Sequence, residues 1–233
     1  YLLRRAAFDN DAGLFLPLGI MGGCLPLIHT HSFLALGLVS IPWFLRAVYK
    51  NNSITKFALY GVIAVALAAP QLLCFTFRQA GSFLTVNLNW ANDTDTFLWF
   101  YVKNLGLIFI LLPVAFIAAK QEDKETWLGV LLLWVLSEII QFQPNPYDNN
   151  KLLFIWFAFC CGLVSSLLVE IYARLSDIKG RRLLAGIVVT AMTLSGVLTL
   201  GREAVSQYEL FPKGEIEAAE FIDKNLPADC VIL

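Results

Sequence analysis

The sequence predicts an all-α fold: a polytopic bundle of about seven transmembrane helices, each needing ~20 apolar residues, followed by the start of a soluble α/β domain. Three observations lead there. Of 233 residues, 58% are hydrophobic and only 15% charged, where a soluble domain carries about 25% charged residues. The mean hydropathy is +0.68. Basic loops also alternate with loops rich in unusual polar residues. The basic set is Arg4/Arg5, Arg46/Lys50/Lys56, Lys120/Lys124 and Arg174/Lys179/Arg181/Arg182. The polar set is His29-Thr30-His31, residues 87–95, and QFQPNPYDNNK at 141–151. Cytoplasmic loops are enriched in Lys and Arg. The alternation therefore puts the polar motifs on the extracytoplasmic face, where only Arg78, Lys103, Lys151 and Arg202 are basic.

The apolar runs are 13–28, 32–49, 55–77, 97–119, 126–142, 151–173 and 183–203. None alternates strictly as a barrel strand does, so helices are the spanning element, with every backbone group bonded internally. Residues 1–12 read as a cytoplasmic lead-in and 13–205 as the membrane region. Gly13, Gly19, Gly22, Gly23 and Pro26 break up the first run. It forms either a tight hairpin with its successor, HTH at the tip, or a re-entrant segment, which lowers the count to six. From 206 to 233 the character changes. KGEIEAAEFIDKNLPADCVIL sets Ile216, Ala219, Phe221 and Ile222 among acids and then turns β-prone. Helix followed by strand is expected, opening an extracytoplasmic domain. The chain starts at Tyr1 without an initiator Met or a leader peptide and closes on VIL. It thus reads as a fragment of a longer protein, with that domain truncated.

A net charge of −1, with basic residues spread over loops, excludes a nucleic-acid partner, which needs a clustered basic surface. Cys24, Cys74, Cys160 and Cys161 lie in apolar runs and are expected to be buried thiols rather than a disulfide framework.

His29 and His31 are the only histidines. On extended backbone such a pair points both rings one way, suiting a metal or a phosphate. A metal would need a further ligand such as Asp148 or Asp93. The structural alternative is a cap in which the imidazoles and Thr30 complete two helix ends. In 141–151, two prolines make a rigid turn. It carries Gln141, Gln143, Asn145, Tyr147, Asp148, Asn149, Asn150 and Lys151. Amides and a carboxylate read sugar hydroxyls, and an ammonium suits phosphate. The alternative is a Pro-Asx turn with Asp148 and Asn149 as caps and Lys151 snorkelling. Glu138 lies within a span, where ionisable groups are costly and face a cavity or partner. Lys151 is its expected counter-ion, and Lys103 is expected to snorkel. Trp90 is expected either to stack on a sugar or to join the interfacial aromatic belt. Asn92-Asp93-Thr94 matches a glycosylation acceptor.

PLIHTHSFLALG at 26–37, FQPNPYDNNKLLFIWF at 142–157 and EAAEFIDKNLPADCVIL at 217–233 together resemble bacterial GT-C type glycosyltransferases. These are multi-span enzymes that move a sugar from a polyprenyl-phosphate carrier to an acceptor outside the cytoplasmic membrane. The resemblance implies an inverting transfer, with or without a divalent metal, and an acidic base in a first outer loop. No such loop is found here: Asp9 and Asp11 fall on the cytoplasmic side, so no catalytic residue is assigned. His29, His31, Glu138, Gln143, Tyr147, Asp148, Asn149, Lys151 and Arg78 would line the substrate cleft. The partners implied are the bilayer and a polyprenyl-phosphate-linked sugar. Two other classes fit the composition: a transporter or flippase using Glu138, Lys151 and the broken first run, and a non-catalytic membrane protein.

Overall fold

The computed structural model describes residues 2–9, 11–50, 54–76, 84–92, 94–142 and 145–227. The chain divides into two units, Tyr1–Ala185 and Gly186–Leu233. The described residues are almost entirely helical. In order they form α1 (Leu2–Phe8), α2 (Phe15–Cys24), α3 (Thr30–Tyr49), α4 (Ile54–Gln71), α5 (Phe97–Leu105), α6 (Leu107–Ala118), α7 (Gln121–Ile139), α8 (Asn150–Arg174), α9 (Arg181–Val205) and α10 (Lys213–Asn225). Two short strands, β1 (Thr85–Val86) and β2 (Ile140–Gln141), pair antiparallel.

Among the described residues, four helical segments are long and apolar enough to cross a membrane: Thr30–Tyr49, Ile54–Thr76, Tyr147–Arg174 and Arg181–Val205. The bent pair α5 and α6 makes a fifth if it counts as one span. The other apolar runs take different forms. Run 13–28 becomes α2 and a 3-10 turn at Leu25–Leu27, short against a hydrocarbon core about 30 Å thick. Run 126–142 lies mostly in α7, whose opening residues Gln121 to Glu125 are all polar or charged. Run 97–119 was expected to be one helix, and here the structure corrects the sequence reading. Gly106 sits at φ +58, left-handed backbone that glycine adopts without steric cost, and the helices on either side meet at 101°.

The first unit is held by close helix approaches at glycines. A Cβ on Gly23 would lie 2.6 Å from Cβ of Leu67, and one on Gly129 would lie 2.7 Å from Cα of Val39. These contacts bring α2 against α4 and α3 against α7, the small-residue packing by which helices associate where lipid removes the hydrophobic drive. Phe15 meets Phe57 at 5.3 Å, and Phe57 meets Phe44 at 5.7 Å. Helix α8 packs on both α6 and α7.

Polar residues gather where α3 ends and α7 begins. Arg46 bonds Glu125 at 2.7 Å, Arg4 bonds Asp123 at 2.9 Å, and Trp43 Nε1 donates to Thr126 Oγ1 at 3.1 Å. Helix α7 therefore runs antiparallel to α3 and delivers its last turn near the start of α3. The expectation of buried thiols needs a correction. Cys160 is buried, but Cys24 and Cys74 are exposed on the helix surface. Cys230 and the β-prone end lie outside the described residues.

The boundary between the units falls within α9, and no residue of α9 or α10 is buried. Helix α10 starts after Pro212, which supplies fixed extended backbone, and has Glu215 in its first turn and Lys224 in its last. Those charges complement the helix dipole.

Candidate functional site

The last turn of any α-helix leaves four carbonyls without intrahelical donors. Where they are buried away from water, those groups must find partners inside the protein. Helix α7 meets this demand from two separate segments. Ile140 N returns to Leu136 O, closing the helix. The Ser137 carbonyl accepts from Trp90 Nε1 at 2.9 Å and from Asn149 Nδ2 at 3.1 Å. Asn89 N donates to Glu138 O and Asn87 N to Ile139 O, each at 3.0 Å. Asn149 Nδ2 also donates to Ile140 O at 2.8 Å, and its Oδ1 accepts from Phe142 N at 3.0 Å. Asn149 is fully buried, so its amide is committed to this backbone. Pairing of β1 with β2, Thr85 opposite Gln141 and Val86 opposite Ile140, extends the same seam.

Beneath that seam lies an acid among aromatics. Glu138 is 5% exposed, and its Oε1 accepts a hydrogen bond from the Tyr101 hydroxyl. Trp134 Nε1 donates to the same hydroxyl at 2.7 Å. Trp134 and Trp156 stack with centroids 5.4 Å apart, and Tyr101 meets both edge-on. Across the Gly106 bend, Phe109 of α6 stacks on Tyr101 at 5.1 Å. The bend thus brings both halves of the broken helix to the acid.

Beside the seam lies a charged cluster. Lys151 Nζ pairs with Asp148 at 3.0 Å, one turn apart at the head of α8, with both side chains partly exposed. His31, buried in the first turn of α3, is within electrostatic reach of His29, Lys151 and Asp148. His29 is extended at φ −159, and its Nδ1 hydrogen-bonds Ser32 Oγ at 2.8 Å. The two imidazole centroids are 5.2 Å apart. An ammonium, a carboxylate and two imidazoles therefore share one end of the helices. Such a set can hold an anion on Lys151 and the rings while Asp148 receives hydroxyl protons.

Several sequence expectations change here. Lys151 is the partner of Asp148, not of Glu138, because the start of α8 sets residues 148 and 151 on one face. Glu138 turns instead to Tyr101. Lys103 does not simply snorkel, since it pairs with Asp95. The Trp90 indole N–H is bonded to the Ser137 carbonyl and braces α7. Asn149 makes no side-chain cap to its own helix, while Asn145 caps the preceding 3-10 turn Pro146–Asn149, its Oδ1 accepting from Tyr147 N at 3.1 Å. Asn92 spends its side chain on Asp95, donating to O at 2.7 Å and accepting from N at 2.9 Å. Tyr147 is exposed. Arg78, Asp93 and Gln143 lie outside the described residues. Tyr101, Trp134, Trp156 and Ser137 were not singled out by sequence reasoning, because aromatic and hydroxyl residues within apolar runs carry no mark of their partners. Among the described residues, no group of three or more His, Cys, Asp or Glu side chains is placed to hold a metal. No protein-family model, curated protein or solved structure matches the chain.

Proposed function

We propose that the end of the first unit bearing His29, His31, Asp148 and Lys151 binds the phosphate and sugar of a polyprenyl-phosphate-linked donor, in a membrane-embedded glycosyltransferase working on the extracytoplasmic face. Seven spans, with the chain after α9 opening an outer domain, is the topology that goes with this reading. The observation that carries it is the convergence of two imidazoles and the Lys151–Asp148 pair beside the hydrogen-bonded seam at the end of α7. A partly exposed ion pair contributes only about 0–1 kcal/mol. The Lys151 ammonium is therefore readily diverted to a phosphate, whose charge builds up as it leaves. Asn149 and Trp90 hold the frame, and Tyr147, exposed on the same turn, offers a ring face to a sugar.

The test is sugar transfer from a polyprenyl-phosphate donor by membranes carrying the full-length protein. Lys151→Ala is expected to lose transfer while remaining inserted in the membrane. Undiminished transfer would sink the reading.

A second reading, a transporter or flippase for a lipid-linked or small polar solute, draws support from the 101° break at Gly106 beside buried Glu138. Broken helices next to an intramembrane acid are a recurring arrangement in transporters. Solute flux into vesicles that is lost in Glu138→Gln, with no sugar transfer at any position, would favour it.

A further inference from the structure

Two cavities adjoin between α6, α7 and α8, at the far end of α8 from Lys151. One, of about 630 Å³, is walled by Ala115 and Ala118 of α6, Lys120 and Asp123 at the head of α7, and Ser165 and Glu170 of α8. The other, of about 420 Å³, shares Asp123, Leu163 and Ser166 with the first and runs on to Gly162 and Phe159.

Polarity is graded along α8. The span that contains it, Tyr147–Arg174, has 28 residues, about 42 Å at 1.5 Å per residue against a hydrocarbon core about 30 Å thick. Its last turns, with Glu170, therefore stand at headgroup depth when it crosses a membrane. Phe159 lies eleven residues before Glu170, about 16 Å deeper along the axis. That is the thickness of one leaflet of the core.

The mouth of the larger cavity holds both signs of charge. Arg4 reaches Asp123 through Oδ1, and Arg174 reaches Glu170 through Oε1. The second oxygen of each carboxylate is left to accept, and exposed pairs of this kind hold weakly. Lys120 is exposed and makes no ion pair among the described residues. Ser166 donates its hydroxyl to the Gly162 carbonyl at 3.0 Å, so exposed Ser165 is the hydroxyl donor this wall offers. An anion alone would meet two carboxylates here, and a cation alone would meet Lys120. A small zwitterion would leave the apolar depth beside Leu163 and Phe159 unfilled.

We infer that the two cavities form one seat for a phospholipid whose headgroup carries a phosphate and a primary ammonium, a phosphatidylethanolamine. The ammonium donates to Asp123 and Glu170, the phosphate accepts from Lys120, and an ester carbonyl accepts from Ser165. One acyl chain lies along Leu163 and Phe159. A quaternary ammonium has no N–H for the carboxylates, and a phosphate without an ammonium sets its charge against them. The seat is separate from the His29–Lys151 end, and it holds whether the protein transfers a sugar or moves a solute.

For the test, full-length protein is purified in detergent and stripped of lipid. It is then mixed with phosphatidylethanolamine, phosphatidylcholine or phosphatidylglycerol of identical dioleoyl chains, and bound lipid is read by native mass spectrometry. A single phosphatidylethanolamine is expected per chain, with the other two lipids about tenfold weaker, the effect of losing roughly one charge-assisted hydrogen bond. Glu170→Gln should narrow the preference over phosphatidylcholine, while Lys120→Ala should weaken both lipids alike. A Cβ on Gly162 meets open space, so Gly162→Phe should fill the seat and abolish binding with no change in unfolding temperature. Equal binding of the three lipids, or tighter binding of phosphatidylglycerol than of phosphatidylethanolamine, would overturn the proposal. So would a preference unchanged in Glu170→Gln or an occupancy unchanged in Gly162→Phe.

Discussion

At one end of α7, Glu122, Asp123 and Glu125 meet Arg4 and Arg46; at the other, its last carbonyls are received by Trp90, Asn149 and the backbone of residues 87–89. The first end is built from charges on partly exposed side chains, the second from neutral hydrogen bonds centred on the buried Ser137 and Asn149. Side-chain exposure of 37% and 39% in the Arg4–Asp123 pair leaves it screened by solvent. Asn149, by contrast, has no solvent exposure. Polar groups thus do different work at the two ends. The ionic end orients α1, α3 and α7 at small net energy, while the seam fixes the backbone that carries Asp148, Lys151 and Glu138.

The sharpest break in that comparison is Asn149→Ala. It removes three hydrogen bonds and leaves the Ile140 carbonyl and Phe142 N–H without this partner. At about 1 kcal/mol for each bond, destabilisation of about 3 kcal/mol is expected in denaturant unfolding of the micellar protein. Gly129→Val comes next. Its Cβ would stand 2.7 Å from Val39 Cα and 2.8 Å from Leu38 O, backbone that cannot swing aside. Overpacking of this kind costs about 1–3 kcal/mol, read by the same unfolding curve. Trp90→Phe should cost only about 1 kcal/mol, because Asn149 still serves the Ser137 carbonyl. Arg4→Met should fall below about 1 kcal/mol, and added salt should shrink even that difference. If Arg4→Met proved as damaging as Asn149→Ala, the contrast between the ends would be lost.

Much of the scaffold was legible in the sequence because lipid imposes a simple rule: spanning segments must be apolar and helical. Runs 32–49, 55–77, 151–173 and 183–203 register as helices with boundaries only a few residues away. The break in run 97–119 did not register, since Gly106 interrupts the helix without lowering its hydropathy. The acids and amides of the opening turns of α7 set that helix apart from the other runs, and they find partners in Arg4 and Arg46.

The site was legible as a set of segments and illegible as a set of bonds. Charge alternation grouped HTH, 87–95 and 141–151, and these segments are joined in space through Asn87, Asn89, Asn149 and the reach of His31 to Lys151. Nearness along the chain suggests pairing Lys151 with Glu138. Helical geometry instead sets Lys151 beside Asp148, three residues before it. The true partner of Glu138 lies 37 residues earlier in an apolar run, where a tyrosine is indistinguishable by pattern from a core aromatic. Likewise, Asn149 belongs by composition with sugar-reading amides. Only its burial shows that its hydrogen bonds are spent on the chain itself.

Those distinctions bear on the proposed chemistry, because a rigid seam matters to function only if the charges beside it meet a ligand. The most direct measurement compares polyprenyl-phosphate-sugar transfer by full-length protein in native membranes for Lys151→Ala, Lys151→Arg and Arg4→Ala. We predict a loss of at least tenfold for Lys151→Ala, about 1.4 kcal/mol or more, partial retention in Lys151→Arg, and activity near the parent level for Arg4→Ala. Transfer that is unaffected by Lys151→Ala, or reduced as much by Arg4→Ala as by Lys151→Ala, would contradict the account.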